Sequence, residues 1–182
     1  MNKKQTVKIS KFMSLVLRHK PETINLTLDK NGWASVDDLI RKMNGLRVFD
    51  INRATLNEVV ATNDKKRFAF NDDGTKIRAS QGHSIKDVDL DLKPVMPPEM
   101  LYHGTAAHNS EVVHKEGIIK MGRNHVHLSS AVDTAIKVGS RHGQPLVLIV
   151  DAKKMYDNGH VFYLSENKVW LTDHVPAIFL KS

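Results

Sequence analysis

Asp91-Leu92-Lys93-Pro94-Val95-Met96-Pro97-Pro98 decides how this chain is to be read. Proline fixes its own φ and has no backbone N–H, so three of them in one short stretch forbid helix and resist sheet pairing. The stretch predicts a linker over 93–98, between a first lobe at 1–92 and a second at 99–182. The two flanks differ in charge. Residues 1–90 hold 17 Lys and Arg against 11 Asp and Glu, whereas residues 91–182 hold 10 against 9, so almost all of the formal +7 lies on the first side. A polyanion is therefore expected to dock mainly on the first half. A solvated basic surface that binds nothing has the same composition. Histidine runs the other way: of 10, only His19 and His83 precede the prolines.

Moving outward toward the N-terminus, Ile9, Phe12, Met13 and Val16 fall at i, i+3, i+4 and i+7, one face of a helix. Pro21 disfavours helical geometry at Lys20, so this helix is expected to end near Arg18 and His19. Ser35 followed by Asp38 predicts the start of a second helix carrying Leu39, Ile40 and Met43. Asp50 is the predicted cap of a third, with Leu56, Val59 and Val60 on its buried side. Phe68-Ala69-Phe70 and Ile77-Arg78-Ala79 then flank Asn71-Asp72-Asp73-Gly74, a turn sequence between two short strands. Three helices and a hairpin predict a winged-helix-like module, a fold that does not by itself establish nucleic-acid binding.

Toward the C-terminus short strands and helices alternate. Strands are predicted at Leu101-Tyr102-His103, Val126-His127-Leu128, Leu146 to Val150, Val161 to Leu164, Val169 to Leu171 and Ile178 to Leu180. Helices are predicted around Val112-Val113, ended by Gly117, and over Thr134 to Val138, with Gly139 after it. The apolar run Leu146 to Val150 reads as a buried central strand of a small mixed sheet. The fold class is α+β. With 182 residues, 41% hydrophobic and 26% charged, the composition is that of a globular protein with a core. Cysteine is absent, which excludes disulfides and thiolate chemistry. No apolar run approaches the roughly 20 residues that span a bilayer, and Met1 to Gln5 is not followed by the apolar stretch of a secretory signal. A cytoplasmic protein, with no membrane partner, is expected.

Several residues are candidates for chemistry. Arg18-His19 places two cationic donors at a helix C-terminus, where the helix dipole alone accounts for positive charge. Lys65-Lys66-Arg67 reads first as a solvated charge run; a phosphate site would need such groups to converge, with Arg favoured for its bidentate fork. His103-Gly104-Thr105, at the end of a strand, offers an imidazole, a hydroxyl and a backbone that a ligand can approach. A tight turn with a surface histidine explains the same residues. His125 and His127 share one strand face, and His142 is a conceivable third metal ligand, but no partner has a diagnostic spacing and no metal is expected. Neither a Gly-x-Gly-x-x-Gly nor a P-loop is present.

At these same residues the chain resembles the RNA 2′-phosphotransferase family. The matching stretches are Ser10 to Pro21, Asp29-Lys30-Asn31-Gly32-Trp33, Asp64-Lys65-Lys66-Arg67-Phe68 and Gln81-Gly82-His83-Ser84. Beyond the prolines they are Leu101 to Thr105, Val126-His127-Leu128-Ser129, Val138 to Gly143 and Val169-Trp170-Leu171-Thr172. They run in family order along nearly the whole chain. The resemblance implies a winged-helix RNA-binding lobe followed by an ADP-ribosyltransferase-like lobe that binds NAD⁺. It implies a catalytic set of Arg18, His19, Arg67 and Arg123, and NAD⁺ contacts from His103, Gly104, Thr105, Ser129 and Arg141. Lys168 departs from the pattern, which has glycine before Val169-Trp170.

The implied partners are NAD⁺, consumed as a co-substrate, and an RNA carrying an internal 2′-phosphate, tRNA-like as in tRNA splicing. A monomer is expected. The implied products are 2′-hydroxyl RNA, nicotinamide and ADP-ribose 1″,2″-cyclic phosphate. Three guanidiniums suit a phosphate dianion, and His19 either donates a proton to the leaving RNA oxygen or hydrogen-bonds the phosphate. An alternative keeps the fold but directs ADP-ribosyl transfer to another phosphate or a protein acceptor. A further alternative is a non-enzymatic winged-helix regulator with a ligand-sensing second lobe.

Overall fold

Asn2 opens the first helix, α1 (Lys3–Arg18), in a computed structural model that describes residues 2–181. Its Oδ1 accepts the Gln5 N–H at 2.9 Å while Gln5 Oε1 accepts the Asn2 N–H at 3.3 Å, a reciprocal cap that satisfies two otherwise orphaned donors. Ile9, Met13, Val16 and Leu17 form the buried face. The first turn carries no acid, and Lys3 and Lys4 sit at the positive end of the helix dipole, an arrangement unfavourable by about 0.3–1 kcal/mol per charge. The helix stops where expected: His19 leaves helical geometry at φ −129°, and Pro21 begins a short 3₁₀ turn, Pro21–Ile24.

Strand β1 (Ala34–Ser35) leads into α2 (Val36–Gly45), whose Asp38 N–H is capped by Ser35 Oγ at 3.2 Å. The third helix, α3 (Arg53–Ala61), is capped by Asn52 and not by Asp50 as the sequence suggests. The reason lies in Asn44, whose side chain accepts from Ile51 N at 2.9 Å and donates to Ile51 O at 2.8 Å. Ile51 is thereby held in the core as extended chain, and the helix can begin only after it. The hairpin strands β2 (Phe68–Phe70) and β3 (Lys76–Ala79) pair antiparallel as expected, and β1 joins them in the order β1-β3-β2. Met13, Leu17, Leu39, Met43, Leu56 and Ile77 are fully buried between helices and sheet, each contributing roughly 1.5–3 kcal/mol. Arg78 extends this core into the segment after the hairpin. Its guanidinium lies 4.4 Å over the Trp33 ring and donates to the carbonyls of Asn31 and Leu90.

The chain divides into two compact units, one running to Asp91 and the other starting at Leu92. The proline stretch at the start of the second unit does pair, contrary to expectation: Pro94 bridges Tyr163, and Val95 N donates to Phe162 O at 2.9 Å. The bridge draws on the N–H of Val95, so the donor that Pro94 lacks is not needed.

In the second unit β4 (Met100–Ala106) is followed by α4 (Ser110–Glu116), β5 (Ile118–Ile119) and β6 (Val126–Leu128). Then come α5 (Val132–Gly139), β7 (Pro145–Asp151), α6 (Ala152–Asp157), β8 (Phe162–Leu164), β9 (Trp170–Thr172), β10 (His174–Val175) and β11 (Leu180–Lys181). The expected mixed sheet is instead three separate sheets, ordered β11-β7-β4, β6-β9-β8 and β10-β5, with every ladder between these strands antiparallel. Residues 107–144 return to the end of β4 that they left, so Pro145 enters opposite Ala106 and β7 runs back along β4. β7 is central as expected, but only Leu148 and Val150 are fully buried, so the apolar run alternates in burial. One bridge joins the two three-stranded sheets: Tyr102 and Ser129 exchange N–H···O bonds of 2.8 Å in both directions. Lys168, in the turn between β8 and β9, has φ +63°. Glycine adopts that conformation without steric cost, which accounts for the glycine in the family pattern. No helix among the described residues is long and apolar enough to cross a membrane.

Candidate functional site

Two groups of candidate residues are built separately, one in each unit. In the first, α1 supplies Arg18 and His19 at its C-terminal end, and the segment after β3 folds against it. Ser84 N donates to Arg18 O at 3.0 Å, and Ser84 Oγ lies 2.8 Å from His19 Nδ1. One serine thus fixes the backbone of Arg18 and the ring of His19 together. Arg67 is tied to the same helix from another direction. Asn63 Oδ1 accepts from Arg67 N at 3.1 Å and from an Arg67 guanidinium nitrogen at 3.4 Å, while Asn63 Nδ2 donates to Ser10 Oγ at 3.1 Å. Ser10 and Arg18 lie eight residues apart on α1, about 12 Å along its axis at ~1.5 Å per residue. A helical ruler therefore sets the separation of the two arginine anchors.

Lys65 and Lys66 are exposed, as a solvated charge run would be, but Arg67 is half-buried and departs from it. Lys66 adopts φ +46°, donates its N–H to Asn63 O at 2.9 Å, and places Arg67 alone into the half-buried framework. Ser80 closes the arrangement by donating to Arg67 O at 2.8 Å and to Lys66 O at 2.9 Å.

In the second unit β4 carries His103, Gly104 and Thr105. His103 Nδ1 is 2.9 Å from His127 O, so the ring donates there and its Nδ1 is protonated. Arg123 approaches His127 Nδ1 at 2.9 Å; the guanidinium has only donors, so His127 Nδ1 must accept and its proton sits on Nε2. Arg123, His127 and His103 form one connected chain. Burial pushes the His103 pKa below its ordinary 6.5, and the Arg123 charge acts in the same sense against the hydrogen bond to His127 O. The Arg123 pKa is also lowered, by burial first and by the neighbouring Arg141 second. Arg141 follows α5 in the 3₁₀ turn Ser140–His142. Arg123 and Arg141 are thus two like charges close enough to repel, and an anion bound between them would relieve that repulsion.

Gly104 plays a part that the sequence alone does not reveal. A Cβ there would lie 1.8 Å from Ala135 O and 2.9 Å from Gly139 N, so its missing side chain admits the backbone of α5 and not a ligand on that side. Gly139 belongs to that helix, whereas the sequence suggests a stop before it. Thr105 Oγ1 accepts from Asn109 Nδ2 at 3.0 Å, and Ser129 Oγ caps its own turn by bonding Ala131 N and O at 3.1 Å. His125 meets Tyr163 edge-on at 5.7 Å and His127 is engaged by Arg123. Among the described residues no group of three or more His, Asp or Glu is placed to hold a metal.

The His103 environment has a consequence for stability. A histidine whose folded pKa is depressed binds its proton less readily folded than unfolded. Its contribution is fully present above the unfolded value near 6.5 and is lost as pH falls through that value toward the lower folded one. His103→Gln is expected to flatten the pH dependence of the unfolding free energy across this window, measured by urea titration. An unchanged slope would contradict it.

The residues whose roles the sequence does not reveal are Ser10, Asn63 and Ser84 around the arginines, and His127, read there only as a conceivable metal ligand. Ser10, Ser84 and His127 lie in the matching stretches Ser10 to Pro21, Gln81-Gly82-His83-Ser84 and Val126-His127-Leu128-Ser129. Nothing marks Asn63.

Comparison with known proteins agrees across the whole length. The family model described as RNA 2′-phosphotransferase, Tpt1/KptA family, matches residues 4–174. A relative from Fusobacterium nucleatum is 54% identical over 176 residues, covering 96% of this chain and 97% of its own. One from Flavobacterium johnsoniae is 55% identical over 183 residues, covering 100% and 98%. One from Streptomyces coelicolor is 51% identical over 181 residues, covering 100% and 97%. Each is named a probable RNA 2′-phosphotransferase.

Proposed function

This chain belongs to the Tpt1/KptA family of RNA 2′-phosphotransferases, and we propose that it transfers an internal RNA 2′-phosphate to NAD⁺. The products are 2′-hydroxyl RNA, nicotinamide and ADP-ribose 1″,2″-cyclic phosphate. The observation that carries the NAD⁺ part is the pairing of Arg123, hydrogen-bonded to His127, with the neighbouring Arg141, two guanidiniums beside the neutral His103 imidazole that suit a phosphorylated dinucleotide. Two antiparallel sheets joined by a backbone bridge fit the split sheet of an ADP-ribosyltransferase-like lobe. Three helices and a three-stranded sheet fit a winged-helix lobe in the first unit.

NAD⁺ supplies an electrophilic ribose carbon with nicotinamide as leaving group. The chain's own residues hold and neutralise the phosphate. Arg67 is preorganised through Asn63 and Ser10, so it needs little reorganisation as charge moves during the second displacement, while Ser84 fixes the backbone from which Arg18 extends. His19 acts through Nε2, because Nδ1 is committed to Ser84, whether it gives a proton to the RNA 2′-oxygen or hydrogen-bonds the phosphate. His103, Thr105, Ser129 and Arg141 contact NAD⁺, and Gly104 serves by letting α5 approach.

Incubation with NAD⁺ and a short RNA bearing one internal 2′-phosphate tests the reading. Nicotinamide release in step with loss of the 2′-phosphate is expected. Nicotinamide release with a stable ADP-ribosyl adduct in the unsubstituted protein would redirect the activity to another acceptor. No release at all would overturn the proposal.

A further inference from the structure

The positive charge of the first unit is concentrated on one element. Helix α1 carries five cations and no carboxylate, whereas residues 19–90 hold 12 Lys and Arg against 11 Asp and Glu. The helix α3, which precedes the hairpin, carries one of each, Arg53 and Glu58. Lys4, Lys8 and Lys11 stand at i, i+4 and i+7, on the side of α1 away from Ile9, Met13 and Val16, and all three are exposed. Lys8 is steadied at the rim, its Nζ 3.4 Å from Val48 O and 5.3 Å from the Phe49 ring centre.

This arrangement opposes the stability of the helix. Lys3 and Lys4 face the positive end of the dipole, and Lys4–Lys8 and Lys8–Lys11 are like-charge neighbours at helical spacing. Stability alone would favour acids at the first positions and alternating signs along the face. A bound polyanion reverses the sign of all these terms at once. From Lys4 to Lys11 the stripe covers about 10 Å of helix axis at ~1.5 Å per residue. At about 3.4 Å of rise per phosphate on one strand, that is about three steps, enough for each lysine to meet a different phosphate.

We propose that the outer face of α1, Lys4, Lys8 and Lys11, is a docking track for the phosphate backbone of RNA outside the reacting nucleotide. The proposal rests on RNA as the substrate but not on NAD⁺ or on the roles of Arg18 and His19. The track reads backbone charge and not bases, so it increases affinity for longer RNAs without altering chemistry on a minimal one.

The test compares K4Q/K8Q/K11Q with a control of equal charge change elsewhere in the same unit, K30Q/R41Q/K86Q. Binding of an unmodified RNA hairpin is followed against salt, and turnover is followed on a 2′-phosphorylated trinucleotide and on a long 2′-phosphorylated RNA. The track variant is expected to lose about 10-fold or more in affinity for the hairpin at low salt. Its slope of log affinity against log salt is expected to fall by about 2 to 3, the sum of three phosphate contacts at roughly 0.7 each on the single-stranded loop to 0.9 each on the duplex stem. KM for the long RNA rises, kcat and trinucleotide turnover stay unchanged, and the melting temperature does not fall. Equal weakening by the control would overturn the track, as would unchanged hairpin binding by the track variant. Binding of the unsubstituted protein to anionic lipid vesicles as tightly as to RNA, abolished by the same substitutions, would also overturn it. If the unsubstituted protein turned over neither substrate, the reaction assignment would fail, while hairpin binding would still decide the track.

Discussion

Arg67→Ala is expected to lower the rate of 2′-phosphate removal by roughly 10²-fold or more, the usual scale for deleting one preorganised donor to developing charge. Arg67 is held by Asn63, and Asn63 by Ser10, so its guanidinium is positioned before substrate arrives. Arg18→Ala is expected to act similarly, with a larger effect on stability because Nε and one Nη of Arg18 are buried. The informative readout is the fate of the RNA. If both arginines serve chiefly the second displacement, the variants still release some nicotinamide and accumulate RNA carrying ADP-ribose on its 2′-phosphate. His103→Ala, in contrast, should slow nicotinamide release and leave no adduct. Gel separation of labelled RNA, adduct and 2′-hydroxyl product distinguishes these outcomes. Adduct in His103→Ala and none in either arginine variant would reverse the assigned division of labour. Asn63→Ala should reproduce a weaker form of the Arg67 defect, since the arginine remains but loses its anchor.

Gly104→Ala is expected to be the most damaging single-methyl addition in the second unit. The added carbon would overlap the Ala135 carbonyl, backbone that cannot rotate aside, so α5 must move away from β4. Overpacking of a well-fitted interior costs roughly 1–3 kcal/mol, and a clash with helix backbone belongs at or above the top of that range. Displacing α5 also displaces Arg141, which follows it. Thermal unfolding should show a marked fall in melting temperature, and any folded fraction should bind NAD⁺ poorly. A variant with unchanged melting and activity would show that α5 tolerates the shift.

The first unit was largely legible in the sequence, because each element there carries its own punctuation. Pro21 stops α1, Ser35 caps α2, and the Asn71 to Gly74 turn separates two strands. The exception was the start of α3, where a side chain from α2, Asn44, overrides the local signal at Asp50. The second unit was legible in its elements and not in its assembly. Antiparallel and parallel neighbours have similar apolar strands, and what decides between them here is where residues 107–144 re-enter the sheet. Site residues divided in the same way. Charged and histidine candidates were visible as residue types, and the resemblance, not their spacing, marked them as a site. Asn63 and Ser10 were not, because their roles exist only through contacts 53 residues apart.

The bridge between Tyr102 and Ser129 places two amide hydrogens where the backbones of the β4 and β6 sheets are laced together, beside the side-chain bond from His103 to His127 O. Parting of the sheets there exposes both amides to solvent in a single event, while the ladders on either side stay closed. Their hydrogen–deuterium exchange should therefore be matched in rate, and faster than that of Leu101 or Leu148 deep in the neighbouring ladder. Any ligand that spans the seam should slow the two together, which makes this pair a built-in gauge of how often the seam opens.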